Sequence, residues 1–170
     1  MRLIHCTNKL ISEINTALLP KYENHINEGL GDWYSNVFIV KLRYCLIFTN
    51  IKTLFTFVVP DLSKKELVDF HHLFLKGLEN ALQLNGIKRE TINRIIEEYT
   101  RVQIVKTESK SVIGSMNDFV QHYISFEKYM DENNQTINDF NLNVNGIPMG
   151  ALKFEFPIER LNKLIETEYK

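Results

Sequence analysis

The chain has 170 residues, of which 44% are hydrophobic and 24% charged, and its formal net charge at pH 7 is −1. A chain of this length predicts one domain with a conventional core, and its hydrophobic content excludes intrinsic disorder. The near-neutral charge excludes the strongly basic surface of a protein that wraps a long stretch of duplex DNA.

No segment of the sequence has the composition of a membrane helix or of a secretory signal. The longest apolar stretches, Val37–Val40 and Leu54–Val59, are far shorter than the ~20 residues that a membrane helix needs. The first residues lack the apolar run of about 7–15 residues that marks a signal peptide. Cys6 and Cys45 show no CxxC or metal-ligand spacing, which predicts buried, reduced thiols. We therefore expect a cytoplasmic protein with no membrane partner.

The amino-terminal segment predicts one strand followed by one helix. Arg2–Cys6 has the length and composition of a short strand, and Thr7 or Asn8 is a suitable helix N-cap after it. Pro20 ends the helical pattern, whose apolar positions are Leu10, Ile11, Ile14 and Leu18.

A three-stranded meander is predicted after the polar stretch Lys21–Gly31, which we expect to be a loop. Asn36–Val40, Tyr44–Thr49 and Thr53–Val59 are rich in aromatic and β-branched residues, and the breaks between them are short. Such breaks permit only antiparallel hairpins, because a parallel return needs a dozen residues or more. The middle strand is apolar on both faces and is expected to be central, and Pro60 is expected to end the meander.

The remaining sequence predicts helices with two further short strands. The expected elements are a helix capped by Asp61 or Ser63 and stopped by Asn85-Gly86, a helix from about Arg89 to Tyr99, a strand over Val102–Lys106, a long helix carrying Val112 to Met130, a helical turn and loop over Thr136–Gly150, a half-exposed strand over Leu152–Phe156, and a closing helix from Pro157. Together these predict an α+β fold with a mostly antiparallel sheet of five or six strands and about five helices packed on it.

The sequence carries no motif for a metal or a common cofactor. Its five histidines form neither HxxxH nor HExxH, and the adjacent His71 and His72 would point about 100° apart on a helix. The phosphate loop GxxxxGK[ST] and the dinucleotide pattern GxGxxG are both missing. We therefore expect no metal site and no cofactor.

The most unusual polar stretch is Thr107–Asp118, at the predicted start of the long helix. Free N–H groups and a partial positive charge suit such a helix start to a phosphate or a carboxylate. If an anion or a small ligand binds, it is expected within reach of Lys110 and the backbone N–H groups of Ser111 and Val112. The alternative is that Ser109 or Ser111 only caps the helix and nothing binds.

Further along the same helix, Ser111, Ser115 and Asp118 are spaced so that they share one side, beside the apolar stripe. Asn117 lies next to them and adds a further polar group. Gly114 costs up to ~1 kcal/mol relative to Ala inside a helix, which suggests close packing against a neighbour or a ligand.

Two other stretches are candidate sites. The only tryptophan, Trp33, follows Asp32 at the entrance of the meander, and with Asn36 these residues are suited to a binding surface. The alternative is that Trp33 plugs one end of the core while Asp32 and Asn36 bond to turn backbone. The loop Asn145–Gly150 either frames a site or forms a turn.

Four stretches are distinctive in combination: Cys-Thr-Asn-Lys at residues 6–9, Gly-Asp-Trp-Tyr at residues 31–34, Asn50–Phe55, and Ser111–Asp118. Together they resemble a bacterial domain family of unknown function, and Ser111–Asp118 is the most specific of them. The resemblance covers most of the chain. It implies a bacterial intracellular protein and carries over no functional residue.

Three classes of function are consistent with the sequence. We expect a non-enzymatic binding or regulatory module whose partner is a protein, a nucleotide or a nucleic acid. One alternative is an enzyme of unfamiliar type, which requires the stretches Asp32–Asn36 and Ser109–Asp118 to face one another across a pocket. In that enzyme the polar groups would be Asp32, Ser115, Asn117 and Asp118. The other alternative is an oligomeric component of a defence or toxin–antitoxin locus, which requires a contiguous apolar patch.

Overall fold

The computed structural model of the protein describes residues 1–16, 25 and 27–170. Within these residues the chain forms five strands and six α-helices in the order β1 (Arg2–Cys6), α1 (Asn8–Ile14), β2 (Trp33–Val40), β3 (Arg43–Asn50), β4 (Thr56–Leu62), α2 (Phe70–Leu84), α3 (Arg89–Glu98), β5 (Val102–Lys106), α4 (Lys110–Tyr129), α5 (Ile137–Asn143) and α6 (Pro157–Glu168). Across this described part of the chain, each helix is too short or too polar to span a bilayer.

The strands form one sheet in the order β4-β3-β2-β1-β5. β2, β3 and β4 are antiparallel neighbours, which confirms the predicted meander, whereas β1 is parallel to both β2 and β5. The α+β class is confirmed, but the sheet is mixed and the prediction of a mostly antiparallel sheet was wrong. Short breaks in a sequence reveal only hairpins, while β1 and β5 reach their neighbours through longer connections that permit parallel pairing.

Helices cover both faces of the sheet. On the first face, α1, α2, α3 and α6 enclose a core built around the aromatic side chains of Trp33, Phe48, Phe57, Phe74 and Tyr99. On the second face, α4 packs over β2 and β3 while α5 packs over β4. The middle strand β3 is buried on both faces from Cys45 to Asn50, as its apolar pattern predicted.

Two boundaries differ from the sequence-based expectation. β4 runs through Pro60 to Leu62, because Pro60 lies in an edge strand whose outer side needs no N–H donor. The helix expected to start at Asp61 or Ser63 begins only at Phe70, after a short 3-10 helix at Glu66–Asp69.

The first predicted helix, the loop after it and the last predicted helix can also be compared with the structure. α1 ends at Ile14, where Asn15 takes a left-handed conformation with φ 47°, and the predicted end at Leu18 and Pro20 lies outside the described residues. The polar stretch expected to be a loop is described only at residues 25 and 27–31. α6 begins with Pro157 in its first turn, as predicted.

The expected strand over Leu152–Phe156 is wrong. Gly150–Leu152 is a 3-10 helix, and Lys153 and Phe154 have left-handed φ values of 53° and 65°. A single bridge between Met149 and Glu155 closes this turn. The apolar alternation that suggested a strand is broken at Phe154, whose side chain is 75% exposed.

The outer edge of β4 is covered by two asparagine side chains from the segment expected to be a helical turn. Asn141 accepts from the N–H of Val58 at 2.8 Å and donates to its carbonyl at 3.0 Å. Asn145 makes the same pair with Thr56, at 2.8 and 2.9 Å. Each amide therefore replaces one residue of a missing neighbouring strand, so the backbone groups of the edge are satisfied.

Candidate functional site

The chain leaves the carboxyl ends of β1 and β5 on opposite faces of the sheet. After β1 it enters α1, whose Leu10 lies in the first-face core, and after β5 it enters α4, whose Phe119 lies in the second-face core. β1 and β5 are parallel neighbours. In open α/β sheets, ligands bind in the crevice that such a divergence leaves outside the strand ends. We call this place, bordered by Thr7 and Ser109, the switch point.

The first turn of α4 has two free backbone donors at the switch point. The Ser109 side chain accepts from the N–H of Val112 at 3.3 Å, which confirms the predicted helix cap. The N–H groups of Lys110 and Ser111 have no acceptor among the described residues, and both residues are exposed. The donors available to an anion are therefore those of Lys110 and Ser111, one position earlier than predicted.

Tyr34 connects β2 to the start of α4. Its hydroxyl oxygen accepts from the N–H of Ser109 at 2.7 Å and from that of Glu108 at 3.2 Å. Its ring stacks on the imidazole of His5, with centroids 4.8 Å apart. Tyr34 thus links the stretch Asp32–Asn36 to the start of α4 by direct hydrogen bonds, whereas the enzyme hypothesis required the two stretches to face one another across a pocket.

Beneath this contact lies a buried carboxylate that pairs with two histidines. Asp32 accepts from the N–H of Leu3 at 3.1 Å, and its oxygens lie 3.3 Å from His5 Nε2 and 2.8 Å from His25 Nε2. Burial alone raises the pKa of Asp32, but the hydrogen bonds from His5, from Leu3 and from His25 outweigh it and lower the pKa. The carboxylate is therefore held ionised, and each imidazole presents an Nε2 proton to it.

The second ring nitrogen of His5 is buried without a hydrogen-bond partner among the described residues. The His5 side chain is only 7% exposed. A carboxylate that orients an imidazole in this way fixes the ring tautomer, so Nδ1 carries the free lone pair.

Trp33 and Asn36, the other two residues predicted at the meander entrance, both contact other parts of the protein. Trp33 is fully buried in the first-face core, with edge contacts to Phe57, Phe74 and Tyr99. Asn36 lies at the switch point, where its Oδ1 accepts from the Thr7 hydroxyl at 2.6 Å and from the N–H of Val37 at 2.8 Å.

The polar residues farther along α4 do not share one environment. Ser115 is buried under the helix, whereas Ser111, Asn117 and Asp118 are exposed. Asp118 lines a groove of about 430 Å³ together with His122 and the loop from Ile147 to Gly150. The structure therefore joins Asp118 to the third candidate stretch, and it joins Asp32 to His5 and His25.

Gly114 has open space around it. A Cβ atom built there would meet no atom within 4 Å, so the expectation of close packing against a neighbour was wrong. The glycine lies on the exposed side of α4, and nothing in the structure explains its choice over alanine there.

Replacing Gly114 by Ala is expected to raise the free energy of unfolding by about 0.5–1 kcal/mol, because Ala has the higher helix propensity. Urea denaturation measures the change. Gly77→Ala in α2 is the matched control, and it should destabilise the protein because its Cβ would lie 2.5 Å from the ring of Phe57. A Gly114→Ala variant less stable than the wild type would contradict this expectation.

Sequence reasoning missed His5 and His25, and it gave Tyr34, within the stretch Asp32–Asn36, no role of its own. His5 and Tyr34 meet because β1 pairs with β2 so that these two residues lie opposite one another. The signal available was the position of His5 in a strand, next to a second strand that an acidic residue, Asp32, precedes. Using that signal requires the parallel register, which the sequence pattern did not reveal.

Comparison with known proteins supports the resemblance to a family of unknown function. Residues 3–160 match the model of a family described as a domain of unknown function, DUF6933. A search of the curated proteins finds no match.

Proposed function

The chain belongs to this family, whose function is unknown, and we propose that it is a non-enzymatic binding module for a small phosphate-bearing ligand at the switch point. The observation that carries the proposal is the pair of free N–H groups of Lys110 and Ser111 at the start of a 20-residue helix. A helix start of this kind attracts anions through its N–H groups and its partial positive charge.

Neighbouring groups support an anionic ligand. Lys106 and Lys110 are exposed on either side of Glu108, so the local charge is positive. Asn36 has committed its oxygen to Thr7 and Val37, which leaves its Nδ2 group as a further donor. Tyr34 fixes the approach to α4 by holding two N–H groups that precede the helix. The site is therefore preorganised, which lowers the entropic cost of binding.

Phosphate and nucleotides are expected to raise the melting temperature, whereas the matching nucleosides are not. A ligand present at about 100 times its dissociation constant adds about 2.7 kcal/mol to the free energy of unfolding. Thermal unfolding at constant ionic strength, with inorganic phosphate, nucleoside mono- and triphosphates and free nucleosides, measures this difference.

Two variants of one residue separate the charge from the backbone donor. Lys110→Pro removes both, and proline is tolerated at the first position of a helix after the extended residue Ser109. Lys110→Ala removes the charge alone. We expect Lys110→Pro to abolish the ligand-induced shift and Lys110→Ala to reduce it, while the exposed Lys128→Ala at the other end of α4 changes nothing. A full shift in Lys110→Pro would refute the site.

The enzyme alternative has less support. Its strongest observation is the pair of Asp32 and His5, which has the orientation of a general base. The base nitrogen is buried, however, and reaches neither solvent nor a nucleophile among the described residues. We therefore assign Asp32 and His5 a positioning role beneath the binding site.

Bacterial origin and a cytoplasmic location are part of the same proposal. They are supported by the resemblance of the four sequence stretches and by the two free, buried cysteines, Cys6 and Cys45. Fractionation of the natural host cells tests the location, and recovery of the protein with the membrane fraction would contradict it.

A further inference from the structure

We propose a second site, at the opposite end of α4, that binds a small amine with an apolar body. It is a cavity of about 430 Å³ between the β2–β3 hairpin, β4, the last turns of α4 and the start of α5. A helix of 20 residues is about 30 Å long, so this cavity is remote from the switch point. The inference is independent of the function proposed above.

The anchor of this amine site is Glu127. Its side chain is only 14% exposed, and its ion-pair partner is Lys41, with Nζ 2.7 Å from Oε1. The Lys41 side chain, in contrast, is 69% exposed. A largely buried carboxylate thus takes its positive charge from a solvent-exposed side chain. Because the lysine partner is exposed to solvent, the ion pair is weak, and the ammonium group of a ligand can replace the lysine.

The remaining charges favour a cation in the same place. Arg43 is already paired with Asp61, with Nε 2.8 Å from Oδ1. Glu127 and Asp131 therefore share Lys41 as their positive neighbour in the cavity lining. The carboxyl end of α4 adds partial negative charge, which attracts cations to the last turn of a helix.

The walls of the cavity suit an apolar skeleton. Val40, Pro60, Met130 and Ile137 line it, together with Cys45 and Tyr123. An apolar cavity with a few polar groups is typical of small-molecule sites.

The hairpin beside the cavity has an unusual backbone. Lys41 and Leu42 both have positive φ values, 49° and 64°, and the pairing of β3 with β4 shifts register at Cys45. Two-residue hairpins of this geometry favour Asn-Gly, so Lys41 and Leu42 retain a less favourable backbone. This turn places Lys41 against Glu127. The register shift between β3 and β4 is a bulge or irregularity in the pairing, and bulges are frequent beside binding sites.

Phenethylamine is the probe, because it joins a primary ammonium group to a small aromatic body. We expect it to raise the melting temperature, whereas 2-phenylethanol and 3-phenylpropionate at the same concentration do not. Glu127→Gln should abolish the shift. Lys41→Ala should tighten binding about two- to fivefold, because it removes the competing ammonium group.

The proposal predicts opposite effects of the two variants on phenethylamine binding: Glu127→Gln abolishes it and Lys41→Ala strengthens it. A merely structural role for the pair predicts that both variants weaken binding or leave it unchanged, so weaker or unchanged phenethylamine binding by Lys41→Ala would overturn the proposal. No shift by phenethylamine in the wild type would also overturn it. Lys128→Ala serves as the control and should bind phenethylamine as the wild type does. If Glu127→Gln fails to fold, the direction of the Lys41→Ala effect decides alone.

Discussion

Asn141→Ala is expected to lower the free energy of unfolding by about 2–4 kcal/mol. The side chain is 4% exposed, and its amide satisfies both backbone groups of Val58 on the outer edge of β4. Alanine leaves a buried N–H and a buried carbonyl without partners, and each such group costs about 1–3 kcal/mol. Urea denaturation of the wild type and the variant measures the loss.

Asn143→Ala is the matched control for this prediction. Asn143 lies two residues away in the same helix but is exposed, so its replacement should change stability by no more than about 0.5 kcal/mol. A second measurement addresses the edge of β4 itself. The double variant Asn141→Ala, Asn145→Ala leaves this edge uncovered, so its molecules should associate through it. Light scattering after gel filtration detects the association. Equal stabilities of Asn141→Ala and Asn143→Ala would contradict the role of the amide.

The sequence predicted the features of the fold that depend on neighbours along the chain. The meander followed from short breaks between β-rich runs, and α4 and α6 followed from apolar residues at helical spacing. The end of α2 followed from Asn85-Gly86, where Gly86 has the positive φ of 80° that glycine accepts most readily. In each case the physical cause lies within a few residues of the effect.

The features that it did not predict depend on pairings across the sheet. The parallel register of β1 with β2 and β5 places His5 opposite Tyr34 and Asp32 beside Leu3. Asparagine is typical of turns and caps, so Asn141 gave no local sign that it pairs with an edge strand. The same limit applies to the amine cavity, whose Lys41 and Glu127 are far apart in sequence.

The candidate site contains one feature that the local sequence predicted and one that it did not. The start of α4 was predicted from the local pattern, in which Ser109 was one of two candidate caps, and the structure shows Ser109 as the cap. The buried pair of Asp32 and His5 beneath them was not predicted, since it needs the strand register.

Asp32→Asn is expected to destabilise the protein by about 3–5 kcal/mol at pH 7. The substitution keeps the size of the side chain but removes a buried negative charge that both His5 and His25 contact. A hydrogen bond to a charged group contributes about 1.5–3 kcal/mol, and Asp32 accepts three of them, which an asparagine amide cannot all replace. Asp118→Asn, which removes an exposed carboxylate from α4, is the control and should change stability by less than about 0.5 kcal/mol. A loss as small as that of the control would contradict the role of Asp32.

The pH dependence of the same variant gives a sharper test. The hydrogen bonds from His5, Leu3 and His25 outweigh the effect of burial and lower the pKa of Asp32 in the folded protein. An aspartate in an unfolded chain has a pKa of about 3.9. The stabilisation by Asp32 is therefore complete above about pH 4 and is lost as the pH falls through the lower folded-state pKa. The difference in unfolding free energy between the wild type and Asp32→Asn should therefore shrink as the pH falls below about 4. Urea denaturation across this range measures the difference, and a gap that stays constant down to pH 2 would show that the ionised carboxylate is not its source.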